Sequence, residues 1–172
     1  MLTIERAKKN DLDGIMELMK EAADCVEDPA WFVEDDADYV KERMEQGGFV
    51  LKACEGEKIL GFFIADFPGR ESRNLGYDLE FSKDLLERTA HMDYVVVTKE
   101  AQGRGLQRKF LKEAQQRLWA EGYRILLGTV HPQNQYSRRN FLAAGYSEAK
   151  HLLKYGGLPR VIMKKVLEER EI

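Results

Sequence analysis

The chain has 172 residues, 44% hydrophobic and 33% charged, with 27 Lys and Arg against 30 Asp and Glu for a net charge of −3. That balance suits one soluble domain over residues 1–172, and the lack of a basic run argues against nucleic acid or an anionic membrane as partner. No apolar stretch nears membrane-span length, the N-terminus has no signal-peptide pattern, and Cys25 and Cys54 lack metal-ligand spacing; reduced thiols and a cytoplasmic setting are expected.

Leu2 to Arg6 reads as a short strand. Asn10 or Asp11 caps a helix on which Leu12, Ile15, Met19 and Ala22 recur at helical spacing. A loop over 24–33 holds Pro29, Trp31 and Phe32, and a second helix is predicted from about Glu34 until Gly47-Gly48 stops it. Phe49–Ala53 and Lys58–Phe67 pair as a hairpin across Glu55-Gly56-Glu57. Residues 68–74 form a charged loop and Lys83–Arg88 an extra helical turn. A strand over His91–Thr98 leads to a helix from Gly103 to about Ala120, whose Leu106, Phe110, Leu111, Ala114 and Leu118 make an apolar stripe. Ile125–Val130 is a strand, Asn134–Ala144 a helix, and strands near 146–155 and 160–167 close the sheet. Strand, helix, strand over 91–130 implies a right-handed crossover with two parallel strands, hence a mixed α/β fold.

The segment Val95-Val96-Val97-Thr98-Lys99-Glu100-Ala101-Gln102-Gly103-Arg104-Gly105-Leu106-Gln107 carries the most chemistry. A β-branched run feeds a glycine turn and then a helix. Gly103 and Gly105 let backbone approach a ligand closely, and the helix start offers unpaired N–H groups with about half a positive charge. Such a turn favours a pyrophosphate. The dinucleotide fingerprint fails, since Arg108 stands where a third glycine is needed and Glu121 falls at the end of the helix rather than of a second strand. No Gly-Lys-Ser/Thr triplet exists, so a P-loop is excluded.

What remains, Gln102-x-x-Gly105-x-Gln107, resembles the acetyl-CoA signature of the GNAT superfamily of N-acetyltransferases, Gln/Arg-x-x-Gly-x-Gly/Ala, with Gln107 departing at the last position. Asn134, Ser137, Phe141, Gly145 and Tyr146 follow at the spacing of the family's second motif, and Ile4–Ile15 resembles its first strand and helix. The segments Gly128-Thr129-Val130-His131-Pro132 and Tyr155-Gly156-Gly157-Leu158-Pro159-Arg160 suggest a bacterial branch. The resemblance implies a mostly antiparallel sheet of six to seven strands, with one splayed parallel pair and helices on both faces. It also implies acetyl-CoA as cosubstrate, no metal, and transfer to a primary amine of a small molecule or peptide. A homodimer stays open, as do a CoA-binding module without turnover and a transferase of a longer acyl group.

The same resemblance places cofactor contacts at Val95, Val96 and Val97, through backbone toward the pantetheine amides, and at Gln102, Gly103, Arg104, Gly105, Leu106, Gln107 and Arg108 around the phosphates. Asn134, Ser137 and Phe141 would line the arm. The family's base positions fall on His91 and Asp93, on one face of the strand with Val95 and Val97 by simple alternation. Of the two, His91 has the better intrinsic pKa and Asp93 would hold a water or orient it. The tyrosine that meets the departing sulfur is replaced by Phe141, leaving Tyr136, Ser137 or Tyr146 as neighbours in sequence. Arg104, Arg108 and Lys109 make an unfavourable basic first turn unless an anion sits there. His131, before Pro132, reads as structural. Seven acids between Asp24 and Asp38 face either an amine or water, and the Arg70–Asn74 loop and Tyr155-Gly156-Gly157 are further candidates to shape the acceptor cleft.

Overall fold

Glycine breaks and side-chain caps set where several of the elements begin. The computed structural model describes all 172 residues. In chain order the elements are β1 (Leu2–Arg6), α1 (Leu12–Cys25), α2 (Ala37–Glu45), β2 (Gly48–Glu55), β3 (Lys58–Asp66), α3 (Lys83–Glu87), β4 (Thr89–Val97), α4 (Leu106–Ala120), β5 (Ile125–Val130), α5 (Gln135–Ala143), β6 (Ser147–Lys154) and β7 (Leu158–Val166). They form a seven-stranded mixed sheet in the order β1-β2-β3-β4-β5-β7-β6. No helix is long and apolar enough to cross a membrane.

Two helices start later than the sequence suggests. Asp36 is extended and its Oδ1 accepts from the Tyr39 N–H at 2.9 Å, so it takes the N-cap and α2 begins at Ala37 rather than near Glu34. Helix α4 begins at Leu106 because Gly103 and Gly105 hold φ of 78° and 73°, which no helical residue adopts. A short 3₁₀ turn at Leu75–Tyr77 follows the charged loop of 68–74.

The β4–β5 pair is parallel, and its register joins Thr89–His91 to Ile125–Leu127 and stops there. Strand β4 then runs on to Val97, while β5 stays paired with β7 as far as Val130 opposite Val161.

The chain divides into two units, Met1–Asp66 with Asp93–Phe110, and Phe67–Met92 with Leu111–Ile172. In the first, Phe62 and Ile64 of β3, Val50 of β2 and Val96 of β4 pack on Ile15 and Met19 of α1 and Val40 of α2. Phe63 alternates to the opposite face, where its ring lies 6.3 Å from that of Phe110 in α4, so helices cover both faces here. Each such side chain contributes about 1.5–3 kcal/mol when fully buried. In the second unit, Ile125 and Leu127 of β5 and Ile162 of β7 pack with Leu75, covered by Leu79, Phe81 and Leu152.

Strand β3 approaches β4 so closely that a Cβ on Gly61 would sit 2.5 Å from the Val96 carbonyl oxygen and 3.3 Å from Val97 Cα. Gly61→Ala must therefore displace backbone. We expect it to destabilise the protein by about 1–3 kcal/mol, read as a lower urea midpoint with unchanged slope; an unchanged midpoint would mean the two strands separate freely.

Candidate active site

The glycine turn has the form the sequence anticipates. At the end of β4 the Thr98 N–H donates to the Leu60 carbonyl (2.9 Å), and one 3₁₀ turn over Lys99–Ala101 brings the chain to Gln102. At Gly103 and Gly105 the chain turns through positive φ, and nothing lies within 4 Å of where a side chain would begin at either residue. The bond from Lys109 N–H to Gly105 C=O (3.1 Å) opens α4, so the turn stands at the N-terminal, partly positive end of the helix. Leu106 is buried and anchors the turn, and Gln102, Arg108 and Lys109 are exposed. Val95 and Val97 are half-buried on one side of β4 and Val96 is buried on the other. Arg104 is engaged differently from the expectation: its guanidinium pairs with Glu55, and that hydrogen bond holds the Glu55 carboxyl below its usual range. Arg108 and Lys109 are the first-turn cations left facing solvent.

Asp93 is the centre of a polar network in the same unit. The Tyr39 hydroxyl of α2 donates to Asp93 Oδ2. Arg43, one helical turn on, stacks its guanidinium 3.9 Å from the Tyr39 ring centre and donates from Nε (3.2 Å) and Nη2 (2.9 Å) to Asp66 Oδ1. The next residue of β4, Tyr94, places its hydroxyl 2.6 Å from Val33 O and 2.8 Å from Asp35 Oδ2. Two successive side chains thus reach the 33–39 segment.

Asp93 is reached by solvent yet closely ringed by protein. Burial, followed by the negative charges of Asp66 and Asp35, raises its pKa to about 7 against the opposing pull of Tyr39 and Arg43. Burial and the Asp93 charge likewise push the Tyr39 phenol up, so that it stays a donor. Burial opposes the charge on Arg43, but Tyr39 and Asp66 outweigh it and keep the guanidinium protonated.

In the second unit, His91 is buried and its Nε2 accepts the Leu75 N–H at 3.1 Å. That lone pair is therefore spoken for and the ring proton lies on Nδ1. Asn74 fixes this arrangement, donating to Gly69 O (2.7 Å) and Leu86 O (3.2 Å) while its Oδ1 accepts from Gly76 N–H (2.8 Å). His91 is thus buried and engaged by backbone, whereas the Asp93 carboxyl meets solvent and has its pKa raised to about 7.

Asn134 caps α5 through Oδ1 to the Ser137 N–H (3.2 Å), leaving its amide NH₂ to donate elsewhere. Tyr136 is 62% exposed in the first turn, whereas Phe141 is buried and meets Tyr146 edge-on at 4.9 Å. Burial pushes the Tyr146 phenol up. The Phe141 ring edge stands 3.0 Å from where a Cβ on Gly128 would be, and the Met92 carbonyl stands 3.2 Å from the same point. His131 is buried, its Nδ1 accepting from Gln133 N–H (3.1 Å), as a structural histidine would.

Residues 12–146 match the model of the acetyltransferase (GNAT) family. The chain belongs to that family. It is similar in fold to yncA of Salmonella typhimurium, solved with acetyl-CoA, at 23% identity over 98% of this chain and 95% of that one, TM-score 0.74. It is also similar to a ribosomal-protein-alanine N-acetyltransferase from Brucella melitensis (20% identity, 96% and 99% covered, TM-score 0.74) and an N-acetyltransferase from Staphylococcus aureus Mu50 (18%, 98% and 99%, TM-score 0.75). No curated protein sequence matches.

As a GNAT acetyltransferase the protein uses acetyl-CoA as cosubstrate, and the mixed sheet with its parallel pair is the fold the motifs imply. Sequence reasoning missed Tyr39, Arg43 and Asp66, which lie 54, 50 and 27 positions before Asp93 and carry no motif. For the acids of 24–38 it left two readings open, an amine-attracting cluster or helix N-terminal acids facing water. In the structure Asp28 and Asp36 cap helical turns, Asp24 pairs with Lys20, and Asp35 meets Tyr94.

The Asp93 pKa stands above its ordinary 3.8, so the group adds stability below about pH 4 and loses it as the pH rises through 7. Asp93→Asn removes that loss. Its melting temperature should exceed the parent's by a few degrees above pH 7, with the gain vanishing near pH 4 in scanning calorimetry. A gain equal at every pH would show that the carboxyl titrates normally.

Proposed function

We propose that this GNAT acetyltransferase acetylates a primary amine of a small molecule or peptide by direct attack, with Asp93 as the base. The observation that carries this reading is the Asp93 carboxyl, held by Tyr39 and poised near neutrality, on the strand that ends in the glycine turn. A lysine-like amine with pKa about 10.4 is neutral in about one molecule per thousand at pH 7.4, a deficit of about 4 kcal/mol. A carboxylate of pKa near 7 is suited to remove that proton. Acetyl-CoA supplies the activated acetyl group. As the amine nitrogen bonds to the acetyl carbon the thioester C–S bond breaks, Asp93 takes the amine proton directly or through water, and the sulfur leaves with the electron pair.

The remaining roles follow from placement. The β4 backbone past His91 has finished its register with β5 and offers its amides to the extended pantetheine arm. Gln102, Gly103, Gly105, Leu106, Gln107 and Arg108 cradle the phosphates. The free amide of Asn134 and the first-turn Ser137 donate to the arm, and His91 shapes the site through Leu75. Phe141 has no hydroxyl, so proton delivery to the sulfur falls to the exposed Tyr136 or to solvent. Free Cys25 and Cys54 fit a cytoplasmic enzyme, and the family match running through both units supports one domain over 1–172.

Steady-state thiol release with a panel of amines tests the activity. We expect kcat/KM to rise with pH through about 7 as Asp93 ionises, and Asp93→Asn to lower it about 10²-fold with the pH step removed. CoA binding without any turnover would leave a binding module, the reading that Phe141 favours. Gly105→Val forces a β-branched residue to φ near 73°, which costs about 1–3 kcal/mol. It should weaken calorimetric CoA affinity at least tenfold while the far-UV spectrum is kept; unchanged affinity would take the turn out of CoA binding.

A further inference from the structure

The hairpin turn between β2 and β3 and the glycine turn after β4 are joined by charge. In the hairpin register Glu55 faces Lys58 as the last pair before the turn, and Gly56 makes the reversal at φ of 59°. Strand β4 lies beside β3, and the Thr98 N–H bonded to the Leu60 carbonyl brings its end level with the start of β3. The two turns therefore meet. Lys58 Nζ donates to Glu100 Oε2 at 2.8 Å, and Arg104 Nη2 donates to Glu55 Oε1. All of these residues belong to the first unit.

The two ion pairs act differently on the glycine turn. Lys58 answers an acid of the 3₁₀ turn, whereas Glu55 answers a cation at the head of α4. From Gln102 to Lys109 the sequence holds Arg104, Arg108 and Lys109 and no acid, at a helix end that is already partly positive. Acids in a helix's own first turn would balance that charge, and α4 has none there. The carboxylate comes instead from another strand, 49 positions away. This hydrogen bond is the largest cause that holds the Glu55 carboxyl below its usual range and the Arg104 guanidinium above its own. The two side chains are 42% and 39% exposed, so a competing anion in solution can reach the pair. An exposed pair of this kind is weak, and carboxylate and phosphate both match the planar fork of a guanidinium.

We propose that Glu55 is an exchangeable internal anion, which holds the Arg104 guanidinium in the CoA-free enzyme, yields it to a phosphate of CoA, and so sets the affinity for the cofactor. The proposal rests on the acetyltransferase reading above and adds a residue outside the motif that reading uses. Breaking the Glu55 pair opposes binding, and re-forming it favours release of CoA after transfer.

Calorimetry with CoA at about 20 mM salt, where screening is weak, tests the exchange. Glu55→Gln should tighten CoA binding about threefold to fivefold, and Arg104→Gln should weaken it by about the same factor. In the Arg104→Gln background the gain from Glu55→Gln should fall below about 1.5-fold, since no guanidinium is left to release. An undiminished gain there would mean that Glu55 only repels phosphate through space, which overturns the exchange. Glu57→Gln removes the same charge from the same turn and should change the affinity less than about 1.5-fold; a gain equal to that of Glu55→Gln also overturns it. In thiol release the acetyl-CoA KM of Glu55→Gln should fall in parallel while the amine KM stays within about twofold, a split that a general structural change would not give. Unchanged or weaker CoA binding by a folded Glu55→Gln, beside a parent that binds, strikes the exchange alone. If neither the parent nor Glu55→Gln binds CoA at millimolar levels, the cofactor reading of the turn falls and the exchange falls with it.

Discussion

The parallel ladder between β4 and β5 is three residues long, and much of the site follows from its brevity. A parallel pair has no hairpin to hold its ends, so its length is set by what each strand meets next. Beyond His91, β4 runs closely along β3, with only hydrogen on Gly61 tolerated against the Val96 carbonyl. Beyond Leu127, β5 is held by β7 through Val130 opposite Val161. Gly128 and the Phe141 ring stand where the pairing stops, with the Met92 carbonyl at the same point. The aromatic ring fills the space that a side chain on Gly128 would otherwise occupy. Phe141 therefore has a packing role that does not depend on a hydroxyl, which explains why the phenylalanine is compatible with the fold.

Charge placement in the first unit is asymmetric, and the asymmetry leaves one carboxylate with a raised pKa. Asp66 and Asp93 share one neighbourhood, but Arg43 directs two nitrogens to Asp66 and none to Asp93. Asp93 receives a phenol instead, and a neutral donor stabilises a carboxylate less than a guanidinium does. Burial, followed by the negative charge of Asp66, then raises the pKa to about 7. Surface carboxylates with an arginine to themselves, such as Glu148 beside Arg138, go the other way and are held below their usual range. Partner allocation thus separates a carboxylate fit for proton transfer from one fixed in an ion pair.

Most of the fold was legible because it is written locally. Helical spacing at Ile15 and Met19, the β-branched run before Thr98 and the glycines at 103 and 105 act within a few residues of themselves. Boundaries slipped where two caps competed: Glu34 and Asp36 are both acids before a helix, and only the carboxylate that reaches an N–H three residues on decides between them. The glycine turn and Asn134 were legible through motifs. The allocation of His91 and Asp93 was not, because it depends on the Leu75 N–H and the Tyr39 hydroxyl, which are 16 and 54 positions away. Intrinsic pKa favours the histidine, and only the tertiary contacts show that its Nε2 is taken.

Arg43 and Arg160 are equally buried, yet their pKa values move in opposite directions, up for the one and down for the other. Depth alone therefore does not decide the fate of a charge; the carboxylate beside it does. At Arg43 the fold supplies that carboxylate from β3. At Arg160 it supplies a carbonyl and the ring of a residue itself held at unfavourable φ. An apolar side chain of the same length would fill this space without desolvating a charge, and a glycine at 155 would relieve the backbone. Stability thus gives no reason for either residue.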